Sequence, residues 1–235
     1  HPCCTACFRL ILLLAVGLLL TACGKAPLHQ QESYVFGTRV EILIAGLDEA
    51  RARPAAAAVL REFDRLHRTY HAWQPSELSE LNAAIAAGRP HTVTPELAAF
   101  IADAQRLSAL GDARFDPGIG GLIRLWGFQS DEFKPVLPDP EALAAWRNAR
   151  PGIADLKVNG VEVSSGNPQV ALDFGGYLKG VALDRAADIL RSQGVQNALV
   201  NIGGNVMALG TKNGERWKVG IQHPRRPGPL ATVEL

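Results

Sequence analysis

The chain has 235 residues, 47% hydrophobic and 20% charged, with a formal net charge of +1. Such apolar content with so little net charge excludes a disordered chain. Its 23 Gly and 15 Pro show no period, which excludes a collagen-like or low-complexity array. A near-neutral balance also argues against a dedicated nucleic-acid binder, which needs a basic excess.

Arg9 precedes the unbroken apolar run Leu10–Leu20. The run is too short to span a bilayer of about 30 Å as a helix and has the length of a signal-peptide core. It leads into Leu20-Thr21-Ala22-Cys23, which looks like a bacterial lipobox. The expectation is a signal over residues 1–22, a lipidated Cys23, a tether over 23–32 and one domain over 33–235. Cys3, Cys4 and Cys7 all precede the cleavage point. The C-x-x-C pair therefore has no second ligand pair, and neither zinc nor a disulfide framework follows from it.

Tyr34–Ile44 reads as a strand pair or a bulged strand, broken near Gly37. A helix is predicted from about Ala52, with Pro54 in its first turn and Leu60, Phe63, Leu66 and Tyr70 at helical spacing. Trp73–Asn82 reads as a loop running into a short helix. Thr94-Pro95-Glu96 is a helix start, and that helix stops at Gly111. Asp139-Pro140-Glu141 starts another, running through Trp146. Leu156–Val163 alternates around Asn159-Gly160, a hairpin signal. Val170–Asp173 reads as a short strand, Tyr177–Gln193 as a helix and Ala198–Ile202 as a buried strand. Gly203-Gly204 interrupts that strand as a bulge or a close approach. Trp217–Ile221 is a further strand, and Thr232–Leu235 is β-prone. The order predicts an α+β fold, helices first and then a mostly antiparallel sheet.

Three stretches could carry chemistry. Leu172–Gly180 runs a strand into Gly175-Gly176 and then a helix with Lys179 in its first turn. Exposed N–H groups and partial positive charge at such a start suit a phosphate, and Lys179 adds a full charge. Asn201-Ile202-Gly203-Gly204-Asn205 offers amide donors and acceptors. Arg114-Phe115-Asp116-Pro117 leads a glycine-rich loop followed by Leu125-Trp126-Gly127-Phe128, where a flat ligand could lie. Each also has a purely structural reading. His67 and His71 lie four apart, but without H-E-x-x-H or a third ligand they read as a solvated helix face. No G-x-G-x-x-G, Walker A or G-x-S-x-G motif occurs.

Taken in order, these segments resemble the ApbE family, the FAD:protein FMN transferases. The matching stretches are Phe36-Gly37-Thr38, Pro75–Asn82, Phe115-Asp116-Pro117 with Leu125–Phe128, Leu172–Gly180 with Asp184, and Asn201–Asn205. Trp217, Gly220 and Pro224 follow. The resemblance implies a single T-fold-like α+β domain, a mostly antiparallel sheet with flanking helices. It implies Mg²⁺-dependent transfer of FMN from FAD to a Thr hydroxyl of an acceptor flavoprotein, releasing AMP. The alternatives are an FAD pyrophosphatase and a non-enzymatic flavin-binding lipoprotein. Acceptors would be subunits of membrane redox complexes, such as sodium-translocating NADH:quinone reductases or Rnf, reached from the periplasmic side of the envelope.

By position, the resemblance assigns Phe36, Trp73, Arg114, Phe115, Asp116, Asp173 and Lys179 to FAD. It gives Lys179 and Asn82 to catalysis and the Gly176 carbonyl to Mg²⁺. Phe36 stands where the family usually has Met, and Asn205 where Asp is common. The family continues with S-G-x-Y, H-x-x-D-P-x-x-G and a late Asp and Thr that complete the metal site. The expectation is therefore a fragment of a longer protein.

Overall fold

The computed structural model describes residues 27–130, 132 and 137–235. The signal run, the lipobox and Cys23 lie outside them. Two hairpins from opposite ends of the chain make the main sheet. β1 (Leu28–Val35) and β2 (Thr38–Ala45) form the first, and β6 (Ala198–Ile202) and β7 (Asn205–Leu209) the second. Their order is β1-β2-β6-β7, antiparallel throughout.

The β2–β6 register sets Val40, Ile42 and Ile44 opposite Ile202, Val200 and Ala198. Because strand side chains alternate, all six face one side, and all are fully buried. Against that side lie α1 (Glu49–Thr69) and α6 (Leu178–Ser192). Their buried stripes are rich in alanine, with Ala52, Ala55 and Ala56 on one and Ala182, Ala186 and Ala187 on the other. Small residues allow two helices to approach closely.

The other side of the sheet carries a smaller cluster around Trp217, whose indole Nε1 donates to the Leu209 carbonyl at 3.0 Å. It lies just before the terminal hairpin of β8 (Lys218–Gln222) and β9 (Pro229–Glu234). Between the two halves of the main sheet the chain inserts α2 (Glu77–Ala86), β3 (His91–Thr92), α3 (Pro95–Leu110), α4 (Gly120–Leu125) and α5 (Pro140–Ala149). A small sheet in the order β3-β5-β4 follows, with β4 at Leu156–Asn159 and β5 at Glu162–Ser165.

Sequence and structure agree where a side chain caps a helix. The Thr94 hydroxyl accepts from Leu97 N at 3.2 Å and the Asp139 carboxylate from Ala142 N at 2.9 Å. Asp48 caps α1 in the same way, so that helix starts three residues before Ala52 and Pro54 falls in its second turn.

Five expectations change. Leu28–Glu32, expected as tether, is the start of β1, fully paired to β2. The α+β class stands, but β1 and β2 precede the helices, so the sheet closes only when both ends of the chain meet. Residues 170–173 are not a strand. Ala171 makes one isolated bridge to Ile119, and Leu172 bonds to a side chain instead. Gly203-Gly204 is a hairpin turn rather than a bulge, at φ 55° and 97°. In the small hairpin the loop is Gly160-Val161, one residue beyond the expected centre.

A Cβ at Gly203 would lie 2.5 Å from Thr38 Oγ1 and 2.8 Å from its Cγ2, at a φ of +55°. Strain and overlap therefore add at one residue. Gly203→Ala is expected to cost about 2–3 kcal/mol by urea unfolding. Adding Thr38→Ala should recover the overlap part and leave the left-handed part.

Candidate functional site

Where α1 ends, its last side chains turn toward the β1–β2 turn. Tyr70 is the C-cap, its N–H bonded to the Leu66 carbonyl. The next five residues form a loop held by its own bonds. Trp73 N and Gln74 N both donate to His71 Nδ1, at 3.4 and 3.1 Å, and the Ser76 hydroxyl donates to the His71 carbonyl at 2.6 Å. An imidazole accepting through Nδ1 keeps its ring proton on Nε2. Ser76 and Ser79 then cap α2 reciprocally. Facing this loop, Phe36 and Gly37 turn the hairpin at φ 55° and 67°, with the Tyr34 hydroxyl donating to the Gly37 carbonyl at 2.7 Å.

Between the two lies a cleft of about 260 Å³. One wall is a run of rings. Centroids are 6.0 Å apart for Phe63–Phe36, 5.6 Å for Phe36–His67, 5.0 Å for His67–His71 and 4.3 Å for His71–Trp73. Asp173, Gly175 and Leu178 close the opposite side. This volume takes one planar ring system and not a whole dinucleotide, so the rest of a larger ligand would run outside it.

The direction of exit is toward α6. That helix has Tyr177 as N-cap and no side-chain cap bond. Leu178 N donates to the Phe174 carbonyl at 2.8 Å and Gly180 N to the Tyr177 carbonyl at 3.1 Å, so of its first three N–H groups only that of Lys179 is left for an anion. Lys179 is half-buried in its first turn, and among the described residues no hydrogen bond or ion pair holds its ammonium. Rings for a flat heterocycle thus adjoin positive charge for a phosphate.

Behind the cleft, α3 places two acids seven residues apart on one face. Glu96 accepts from Arg65 at 2.8 and 3.0 Å, from Arg185 at 3.0 Å and from the Tyr70 hydroxyl at 2.6 Å. The Arg65 bonds, followed by the Tyr70 bond, hold its carboxyl below the usual range. Asp103 is likewise lowered, chiefly by Arg106, and accepts from the Tyr177 hydroxyl at 2.9 Å. Burial first, and then these acids, push both tyrosines upward, so each phenol stays a neutral donor. One helix therefore pins the end of α1 and the start of α6.

The structure brings Phe36, Trp73 and Asp173 together at the cleft, with Lys179 in the first turn of the adjoining helix. It gives other predicted residues local tasks. Asn82 donates to the Leu172 carbonyl at 2.9 Å and accepts from Leu172 N at 2.7 Å. Asp116 Oδ1 accepts from Gly118 N at 2.7 Å and Ile153 N at 2.9 Å. Phe115 packs on the core near Tyr177, and Arg114 is exposed beside Asp112. Asn201 and Asn205 bond within their own turn.

His67 and His71 are not a solvated face. They line the cleft, and His71 is buried. The helical spacing of the pair is the available signal, and it reads as a solvated face because a stacking wall needs a further element, the β1–β2 turn. Gln129, which donates to Asp173 Oδ2 at 3.1 Å, had no signal at all.

Gly176 exposes its carbonyl, and among the described residues no donor reaches it. Among those residues, too, no group of three or more His, Cys, Asp or Glu side chains could hold a metal. One neutral oxygen falls far short of the six ligands Mg²⁺ takes. These residues alone do not make a magnesium site, and no chemical step is assigned to one.

Fold and cleft together define an α+β domain with a ring-lined cleft bordering the start of a lysine-bearing helix. The chain belongs to the ApbE family, whose model matches residues 36–235. It is 38% identical to the FAD:protein FMN transferase of Rhodobacter capsulatus, over 98% of this chain and 45% of that protein. Against the protein of the same name from Vibrio cholerae it is 33% identical, over 71% and 49%. The ApbE protein of Thermotoga maritima superposes with a TM-score of 0.79 at 27% identity, covering 89% of this chain and 68% of that one. The flavin transferase ApbE of Vibrio cholerae superposes at 0.74, also 27% identical, over the same shares. The chain thus spans about half the length of these two curated relatives.

Asn82→Leu leaves the buried N–H and C=O of Leu172 without partners. It is expected to lower stability by about 2–5 kcal/mol in urea unfolding. Glu96 has a folded pKa below its unfolded value, so its stabilisation is present above the unfolded pKa and lost as pH falls through the folded one. Unfolding midpoints measured across that acid range should fall for the native chain and change less for Glu96→Gln.

Proposed function

We propose that this chain carries the FAD-handling part of an FAD:protein FMN transferase. The reading is supported above all by one juxtaposition, the ring-lined cleft against the Lys179 helix start, in a chain of the ApbE family. A ring of FAD lies along Phe36, His67, His71 and Trp73. Its pyrophosphate runs to the first turn of α6, where the Lys179 N–H and ammonium neutralise charge that grows as the bond to the leaving phosphate breaks. The acceptor Thr oxygen attacks the FMN phosphorus, AMP departs with the bridging oxygen, and the hydroxyl proton is released. Asn82 serves by holding Leu172, and through it Asp173, in place.

The proposal includes Mg²⁺ dependence, lipid anchoring through Cys23 on the periplasmic side of the envelope, and acceptors that are flavoprotein subunits of membrane redox complexes. Sodium-translocating NADH:quinone reductase or Rnf subunits are the expected kind. No described helix is long and apolar enough to cross a membrane, so the membrane attachment rests on the lipobox pattern.

The test mixes the protein, isolated with its native mature termini, with FAD, Mg²⁺ and a flavin-acceptor domain, and weighs the acceptor by intact mass spectrometry. The expected result is a gain of one FMN less water, abolished by chelation and lowered ~100-fold by Lys179→Ala. Free FMN and AMP with an unmodified acceptor would replace the reading with a pyrophosphatase. Intact FAD would leave a flavin-binding protein.

A further inference from the structure

We propose that Gln129 is a positioning residue of this site, one that sets the orientation of the Asp173 carboxylate at the cleft. The inference rests on the functional reading above for its kinetic consequence, and on geometry alone for the positioning itself.

Asp173 is held by two donors, one on each oxygen. Gly175 N donates to Oδ1 at 2.9 Å and Gln129 Nε2 to Oδ2 at 3.1 Å. The first bond comes from two residues along and leaves the carboxylate free to swing about it. The second comes from 44 residues earlier in the chain and removes that freedom.

Gln129 is itself rigidly placed. α4 ends with Trp126 as C-cap; Gly127 follows at φ 76° and donates to the Arg124 carbonyl at 2.9 Å, and Phe128 N donates to the Ile123 carbonyl at 3.1 Å. This pair of bonds is a Schellman closure, which fixes the direction of the chain leaving the helix. The start of α4 is tied to the same stretch. Gly120 N donates to the Ala171 carbonyl at 2.7 Å, and Asp173 N to the Pro117 carbonyl at 2.8 Å. Main-chain bonds before α4 and a side-chain bond after it therefore grip residues 171–173 from both ends. Asp173 precedes Gly175-Gly176 and the Lys179 helix, so a shift of its carboxylate displaces the turn on which the phosphate would rest.

Two substitutions separate positioning from packing. Gln129→Met keeps the shape and removes the donor. Gln129→Glu keeps the shape and sets a second carboxylate beside Asp173, where like charges repel until one of them takes a proton. With FAD and acceptor, Gln129→Met is expected to lower kcat/KM ~10-fold, as loss of a bond to a charged group does. Gln129→Glu should fall further at neutral pH and recover toward the native value as the pH is lowered to about 5, because a shared proton restores the bond. A purely structural residue would not show that pH-dependent recovery.

Native rates from both variants at every pH would overturn the inference while leaving the transferase reading intact. A native protein that leaves FAD untouched would overturn the functional reading instead. Positioning is then decided by crystal structures of the native chain and Gln129→Met. One Asp173 rotamer in the first and several in the second would support it; the same single rotamer in both would end it.

Discussion

The amide of Asn82 and the backbone of Leu172 exchange two hydrogen bonds across 90 residues, and the Asp173 side of the cleft depends on them. Leu172 is fully buried, and no strand partner satisfies its N–H and C=O. A side chain does the work of a missing strand. It can do so because α2 is set in place by its serine cap and because Asn carries a donor and an acceptor side by side. From Leu172 the chain passes directly to Asp173, the glycine pair and α6. The phosphate end of the site is thus referenced to the helix that follows the ring wall.

The ring wall depends on a different constraint, the meeting of two chain ends in one sheet. β2 pairs with β6, and the turns at Phe36-Gly37 and Gly203-Gly204 lie side by side, with Gly203 against Thr38. α1 then carries Phe63 and His67 to the Phe36 turn. The acids of the fold largely support this frame. Glu96, Asp103 and Asp116 each accept bonds from inside the domain, which holds the cleft's edges without placing their charge in it. Asp173 is the only carboxylate among the described residues that line the cleft.

Much of the fold was legible from residue chemistry. Thr94 and Asp139 announced helices because a short polar side chain before Pro offers a cap that little else explains. The first hairpin, the buried β6 and the helix after Gly176 were readable from alternation and glycine placement. The start of β1 was not, because an edge strand whose inward residues are His29, Gln31 and Ser33 has no apolar alternation to read. Residues 170–173 misled for the opposite reason. Val170 and Leu172 are buried in alternation with the half-buried Ala171 and Asp173, a pattern a loop can share with a strand when a side chain satisfies its backbone.

Asp173 and Lys179 could be marked in the sequence because they sit at a strand end and a helix start whose chemistry is local; Phe36 and Trp73 could be marked only through the family resemblance. His67, His71 and Gln129 could not. A histidine pair at helical spacing means solvent, metal or stacking according to what lies opposite, and a lone Gln after a glycine turn has no period or partner to betray it. By itself, the sequence determined the elements, the α+β class and the glycine–lysine helix start, because caps, turns and periodicity act within a few residues. Only the tertiary structure decided which rings share a wall, which acids serve as braces and which amide replaces a strand. Those are contacts between residues 30 to 90 positions apart, and packing alone selects among the partners that local chemistry permits.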